Sequence, residues 1–454
     1  MASTTSLNKL AVNGAFWTVL GYGASNGLRF IGNLILTRLL APELFGLMAL
    51  MNTFLIGLAL FSDIGIGPSI VQNKRGQDPI FLNTAWTLQA IRGLCLWVIC
   101  CILSYPVSRY YGDARILMIM PILGLSSLMA GFNSTSLMLL KREMNLRTST
   151  LLELAIQVLS LTIMVSWAYF QPTIWALVAG TMISVALKLI LSHFWLPGVR
   201  NQFAWDKTCA QELFRFGRWI FLSTAFTFLA MQSDRLIVGK IVSIEMLGIY
   251  TVCLSLSDLP RQVVTTLGSN VIFPIIAKSA DTPRSELRRN FLKKRWVLLM
   301  GAAVFASILI AGGDLLVKFL YDSRYSQDAW ILTVLAIGFW HTVLYDTMNS
   351  CLLGLGKPYY GTTGYMIRFL ILILGVPAAY NVAGFEAAVF VIAFHDLPMY
   401  VVISYGAVRE KFNNLNQDLM ATGVFLLILA AAIGIRVACG FGFPLEHLFH
   451  SAAM

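Results

Sequence analysis

Long apolar runs separated by short polar connections fill nearly all of the 454 residues. The runs cover roughly 11–37, 45–70, 82–104, 116–140, 149–170, 173–196, 213–238, 246–276, 293–319, 329–354, 361–381, 385–407 and 418–440. Most match or exceed the roughly 20 residues an apolar helix needs to cross a bilayer. The pattern therefore predicts an all-α polytopic membrane protein of about 12–13 transmembrane helices. The longest polar stretches, near 198–215 and 278–295, are too short to fold as soluble domains. The first run continues past Phe30 as a full span, which is not the pattern of a cleavable signal.

A weak internal repeat organises these runs. Arg38-Leu-Leu-Ala-Pro-Glu43-Leu-Phe-Gly46 recurs 202 positions later as Lys240-Ile-Val-Ser-Ile-Glu245-Met-Leu-Gly248, each time between two apolar runs. Six spans separate the copies, so both have the same orientation and the pseudo-axis lies along the membrane normal. The expected organisation is a six-helix lobe over 1–197, a cytoplasmic linker over 198–212, a second six-helix lobe over 213–408, and an additional span with its tail over 409–454. Glu43 and Glu245 read as helix-start residues, which favour the positive end of the helix dipole. Gly23-Ala-Ser-Asn-Gly27 forms a small-xxx-small face suited to close packing. Gly67-Pro68 and Pro274 are expected to close the second and eighth spans.

Composition supports the membrane reading: 57% of residues are hydrophobic, 12% are charged, and the mean hydropathy is +0.74. The net charge of +11 is mostly topological. With residues 1–10 inside, twenty basic residues fall on the cytoplasmic flanks against seven on the other side. That asymmetry predicts a cytoplasmic N-terminus and gives no reason to invoke nucleic acid. The basic stretch 278–295 reads as a topology anchor in preference to an amphipathic helix on the anionic leaflet. The seven cysteines show no zinc or redox spacing and read as small hydrophobes.

Charges inside the spans carry the functional signal, because a charge at the bilayer centre costs at least ~2.5–3.5 kcal/mol and normally faces a wet cavity or a partner. Arg92, Arg261, His341 and His395-Asp396 lie near mid-span, while Arg29, Lys188, Asp63, Asp346 and Arg368 are intermediate. Asp234-Arg235 and Glu386 sit near outer ends and Glu153 near an inner one, where they reach the interface. Asp258 and Arg261, three apart on one face, form an expected ion pair. Structural pairing competes with function for every one of these residues. The cations Arg29, Arg92, Lys188, Arg235, Arg261 and Arg368 occupy six different spans, and a cavity they shared would suit an anionic cargo such as a phosphate. The carboxylates and histidines are candidates for relaying protons or binding Na⁺. Enzyme readings lack support: there is no P-loop, no Asp-x-Asp, and no long outward loop for an acid–base pair.

The run Asn33-Leu-Ile-Leu-Thr-Arg-Leu-Leu-Ala-Pro-Glu-Leu-Phe-Gly46, with Phe61-Ser-Asp-Ile-Gly-Ile-Gly67 and Ile70-Val-Gln72, resembles the opening of bacterial Wzx-type polysaccharide flippases. These belong to the multidrug/oligosaccharidyl-lipid/polysaccharide (MOP) exporter superfamily. Asp234-Arg-Leu-Ile-Val-Gly239, Leu247-Gly-Ile-Tyr250 and Val271-Ile-Phe-Pro274 extend the resemblance over about 1–410. It implies translocation of a polyprenyl-diphosphate-linked oligosaccharide across the bacterial inner membrane, by alternating access between two lobes, for exopolysaccharide, O-antigen or capsule assembly. It further implies no cofactor, coupling to H⁺ or Na⁺, and a polysaccharide polymerase and export machinery as partners. Arg29 is the best match to the lobe-lining cations of related lipid flippases. The expected diphosphate-binding set is Arg29, Arg92 and Arg261, with Arg235, Lys188 and Arg368 behind them, and Asp63, Asp258 and Asp346 are expected to couple the ion. The rival readings are a drug/cation antiporter of the same superfamily, which predicts an acidic cavity, and a polysaccharide polymerase or ligase, which needs a sizeable outward loop.

Overall fold

The duplicated segment folds as two matching hairpins. Helix α1 (Thr4–Leu39) turns into α2 (Pro42–Phe61), and α9 (Lys207–Ile241) turns into α10 (Ile244–Leu267). The two boundaries at each turn keep the offset of 202 positions, Leu39 matching Ile241 and Pro42 matching Ile244. The residue before the second helix is extended in both, Ala41 at φ −69° and ψ 147° and Ser243 at φ −65° and ψ 155°. Glu43 and Glu245 occupy the first helical turns, where their charge meets the helix dipole favourably.

The computed structural model describes residues 4–73, 75–143, 146–196, 200–268, 272, 276 and 283–446. Among these residues there is no strand, and eight helices are long and apolar enough to cross a membrane. Pro274 lies outside the described residues. The chain divides into two compact units, residues 1–228 and 229–454.

In the first unit, α3 (Ile66–Gln72), α4 (Pro79–Tyr111), α5 (Ile116–Gly131), α6 (Ser136–Arg142), α7 (Leu146–Phe170) and α8 (Ile174–Phe194) follow α2. Two expected spans are broken. The run over 45–70 divides into α2 and α3 around Asp63, which accepts the Gly65 N–H at 2.9 Å, with Gly65 left-handed at φ 64°. Gly67 and Pro68 therefore lie inside a short second helix and do not close the span. The run over 116–140 divides likewise into α5 and α6. The two short helices pack together, and Arg142 caps α3 by donating from Nη1 to the carbonyls of Ile70 and Asn73 at 2.7 and 2.6 Å.

Helices α4 and α5 come close at Gly93 and Gly131, where a Cβ on Gly93 would meet the Ser127 carbonyl at 2.7 Å. The expected small-xxx-small face behaves differently: a Cβ added at Gly23 or Gly27 would meet nothing within 4 Å, and α1 instead packs on α7 through Gly21 and Gly32. Residues 201–206 run extended along the end of α4. The amides of Gln202, Ala204 and Asp206 donate to side-chain oxygens of Asn83, Thr87 and Thr84 at 3.1, 3.1 and 3.2 Å. Asp206 then caps α9, accepting from the Cys209 amide at 2.8 Å, and Cys209 is itself buried against Ile66, Phe81 and Leu82.

In the second unit, α11 (Arg284–Leu320), α12 (Ser323–Ser326), α13 (Trp330–Gly354), α14 (Tyr359–Phe394), α15 (Leu397–Arg409) and α16 (Leu415–Ala438) follow α10. Helix α14 is two arms joined at Ala383 and Gly384, the latter at φ 76°, as the boundary between the runs 361–381 and 385–407 predicts. The second arm breaks again at His395-Asp396 before α15. The last helix, α16, is packed along α11, with Phe425 stacked on Trp340 of α13 at 4.5 Å. An arginine–aspartate pair locks each end of the α11–α16 contact. Arg295 on α11 meets Asp418 on α16 at 2.5 Å, and Arg436 on α16 meets Asp314 on α11 with Nη2–Oδ2 at 2.8 Å. The basic stretch is thus not only a surface anchor. Its last residue, Arg295, is fully buried and also donates to Thr347, Gln417 and the Leu344 carbonyl.

Candidate functional site

Two neighbouring cavities lie within the first unit. One, of about 340 Å³, is lined by α2, α4, α5 and α8, with Ile66 and Gly67 of α3 and Leu137 and Met138 of α6 also contributing. It holds Arg92, Asp63, Gln89 and Asn133. The other, of about 620 Å³, lies between α1, α7 and α8 and holds Arg29, Ser25 and Gln157. Glu153 of α7 and Lys188 of α8 line both. Three of the six expected cations therefore converge here, together with the expected carboxylate Asp63.

The setting of each charge is specific. Arg92 is half-buried, with Nε donating to Ser62 Oγ at 2.9 Å and Nη2 to the Ala59 carbonyl at 2.6 Å, so it caps the end of α2. Gln89, one turn before it, donates to the Ala130 and Gly131 carbonyls and closes the end of α5. Gln157 and Ser25 bond each other across α1 and α7, Ser25 Oγ donating at 2.7 Å. Among the described residues, no carboxylate lies within ion-pair distance of Arg29, Arg92 or Lys188, and Glu153 has no cationic partner. The cavities thus carry three cations against two carboxylates.

The second unit treats its charges differently. Arg261 of α10 lies 3.5 Å from Asp258 and 3.8 Å from Asp346 of α13, and Asp346 also accepts from Thr265 at 2.9 Å. Arg368 of α14 lies 3.3 Å from Asp396, which accepts from Tyr345 at 2.8 Å and sits 3.4 Å from His395. Asp396 stands at the break between α14 and α15, where the interrupted helix frees its side chain for Arg368. Arg235 donates to Gln232 at 2.6 Å, and Asp234 accepts from Tyr250 at 2.7 Å. The Asp258–Arg261 pair expected from the spacing is present. Asp396 and Tyr345 were not among the expected site residues, although His395-Asp396 stands out in the sequence as a mid-span charge.

Glu153, which the sequence puts near an inner span end, lines both cavities. Glu386, assigned to an outer end, is exposed beside the Ala383–Gly384 turn.

A helical membrane fold with a polar, net-cationic cavity inside one unit defines a carrier-like polytopic protein. Over 94% of this chain and 99% of the other, the fold matches the lipid II flippase MurJ in an inward closed conformation, with a TM-score of 0.69 and 11% identity. It also matches an inward-facing multidrug resistance MATE family transporter of the MOP superfamily over 85% of this chain and 94% of the other, with a TM-score of 0.67 and 14% identity. The chain belongs to the polysaccharide biosynthesis protein family, whose model matches residues 35–330. Among its relatives, the teichuronic acid biosynthesis protein TuaB of Bacillus subtilis (strain 168) is 22% identical over 99% of this chain and 92% of its own length. The succinoglycan biosynthesis transport protein ExoT of Rhizobium meliloti (strain 1021) is 23% identical over 71% of this chain and 64% of its own length. The resemblance carried by Asn33–Gly46 and the runs after it is thereby borne out.

Proposed function

We propose that this protein is a flippase that moves a polyprenyl-diphosphate-linked oligosaccharide across the bacterial inner membrane for surface-polysaccharide assembly. The observation that carries the reading is the contrast between the units: Arg29, Arg92 and Lys188 line open cavities without a carboxylate partner, whereas Arg261, Arg368, Arg295 and Arg436 are paired. A cation left without a partner in a low-dielectric setting is stabilised by an anionic ligand. A diphosphate supplies several acceptors, two guanidiniums grip its oxygens as forks, and the lysine adds a mobile point charge. The names of TuaB and ExoT, and that of MurJ for the lipid-linked class of cargo, support the same reading.

In this account Arg29, Arg92 and Lys188 hold the diphosphate while the prenyl tail stays in lipid. The ion-pair network of Arg261, Arg368, Asp258, Asp346 and Asp396, with Arg235 beside it, supplies the H⁺ or Na⁺ coupling. Its contacts of 3.3–3.8 Å are long enough to rearrange when a proton or cation enters. Asp63 chiefly shapes the turn between α2 and α3 and balances Arg92. The chain performs no covalent chemistry, its N-terminus is cytoplasmic, and the two units alternate access to the cargo.

The antiporter reading predicts an acidic cavity, which three cations against two carboxylates do not favour. Charge reversal tests the flippase reading. Among the described residues, Arg29→Glu and Lys188→Glu break no hydrogen bond or ion pair, so abundance stays at the wild-type level while surface polysaccharide is lost and the lipid-linked precursor accumulates. Normal polymer in both variants sinks the assignment.

A further inference from the structure

The break between α14 and α15 sets two ionisable side chains side by side within the second unit. His395 ends the second arm of α14, and Asp396 stands just before α15. Only 10% of the His395 side chain and 4% of the Asp396 side chain are exposed. Ionisable groups this deep in a membrane protein are costly, and a task or a full set of partners normally accounts for them.

The contacts of His395 fix which ring nitrogen carries the proton. Nδ1 bonds the Ile392 carbonyl, three residues back on the same helix. A carbonyl oxygen only accepts, so Nδ1 is the protonated nitrogen. In the neutral ring Nε2 is therefore a bare acceptor. It lies 3.4 Å from Asp396 Oδ1, which is an acceptor as well. Neither atom makes a hydrogen bond among the described residues. The other carboxylate oxygen, Oδ2, is satisfied by the Tyr345 hydroxyl at 2.8 Å.

We infer that the coupling ion is a proton and that it is held between His395 Nε2 and Asp396 Oδ1. A proton there turns two opposed acceptors into a charge-assisted hydrogen bond, with the ring donating and the carboxylate accepting. A hard metal cation takes a cage of oxygen ligands, whereas this carboxylate is flanked by an imidazole and by Arg368, whose Nε stands 3.3 Å from the same Oδ1. The other charged and titratable groups that act on the pair are His341, Tyr345 and Asp346 from α13, Arg261 from α10 and Asp234 from α9. His341 Nε2 is also buried without a hydrogen-bond partner among the described residues, and its ring stacks on Phe394 at 6.0 Å.

The site also gives the proton something to move. A protonated His395 competes with Arg368 for Oδ1. Arg368 belongs to the first arm of α14, and Asp396 to the break that follows the second arm. Proton uptake thus loosens the tie between that arm and the break, a local charge change acting on an interrupted helix. The inference rests on the coupling role given to this network in the flippase reading, and it selects the ion and the atoms that hold it.

The test uses the purified full chain in nanodiscs of neutral lipid, with ¹⁵N-labelled histidine followed by NMR and His395→Gln to assign the resonance. At about pH 8 His395 is expected to carry its proton on Nδ1, and acidification to about pH 5 is expected to add one at Nε2. In Asp396→Asn this uptake is lost from the same window, while the exposed His193 of the first unit titrates as in the wild type. A bare Nδ1, no uptake in the wild type, or undiminished uptake in Asp396→Asn overturns the proton site. Where Asp396→Asn does not fold, solvent exchange of the added Nε2 proton takes its place: slow exchange is expected, and fast exchange overturns the bond. Calorimetry with farnesyl diphosphate, in buffers of different ionisation heat, then reads the coupling. Wild type is expected to exchange roughly one proton more or fewer on binding than His395→Gln. Equal exchange in the two overturns the coupling role and leaves the diphosphate reading standing. If His395 titrates as described but farnesyl diphosphate does not bind the wild type, the diphosphate reading fails and the proton site stands.

Discussion

Arginine plays two opposite parts in this chain, and its partners decide which. Arg295 has no exposed side-chain surface and meets Asp418, Thr347, Gln417 and a main-chain carbonyl. Such a pair adds little net stability, yet breaking it strands a charge at a cost of about 3–5 kcal/mol. Arg295→Ala is therefore expected to lower the melting temperature sharply in detergent. Arg295→Met with Asp418→Leu, which removes both charges, recovers much of the loss. Arg29→Glu, by contrast, leaves the melting temperature unchanged, because among the described residues Arg29 has no hydrogen-bond or ion-pair partner to lose. This division was only half legible in the sequence. Depth within a span drew out Arg29, Arg92 and Lys188 together with Arg261 and Arg368, but the carboxylate partners of Arg295 and Arg436 lie more than a hundred positions away, and no local spacing announces them. Asp258 and Arg261 were legible because three residues on one helix face is a local relation.

At the scale of elements, the extended segment 201–206 behaves as a strap along α4. Three alternate amides are held by Asn83, Thr87 and Thr84, and Asn201 adds contacts to Ser134 and Thr135. Replacing Thr84 and Thr87 with valine is expected to speed hydrogen exchange at Ala204 and Asp206 without changing exchange within α4. Equal protection in the variant would mean that the side-chain bonds do not hold the strap. Where it ends, hydrogen bonds from Thr208 and the Cys209 amide hold the Asp206 carboxyl well below its ordinary range. A depressed carboxyl contributes stability that is present above its unfolded value, about 3.9, and is lost as pH falls through the folded value. Protection at the start of α9 should therefore survive mild acidification and fade only well below pH 4, whereas Asp206→Asn removes the pH dependence.

The elements themselves were largely readable, since apolar runs set the spans and the repeat located both hairpins. The breaks at Asp63 and at His395-Asp396 were not. Hydrophobicity continues through both, and the interruption depends on contacts made by Asp63 with its own turn and by Asp396 with α13 and α14.

For the whole molecule, one hairpin plan used twice supports two units with different chemistry. The first keeps unpaired cations around open cavities, and the second turns its buried charges into pairs and adds α16 under two arginine–aspartate locks. The shared hairpins fit a fold common to transporters of different cargo, and in the proposed reading the divergent charges select what this family member carries. The central claim is that the first unit binds the diphosphate, and calorimetry with farnesyl diphosphate on the purified chain tests it most directly. The account predicts binding to wild type that weakens at least tenfold in both Arg29→Glu and Lys188→Glu. Undiminished binding in the two cavity variants would contradict it.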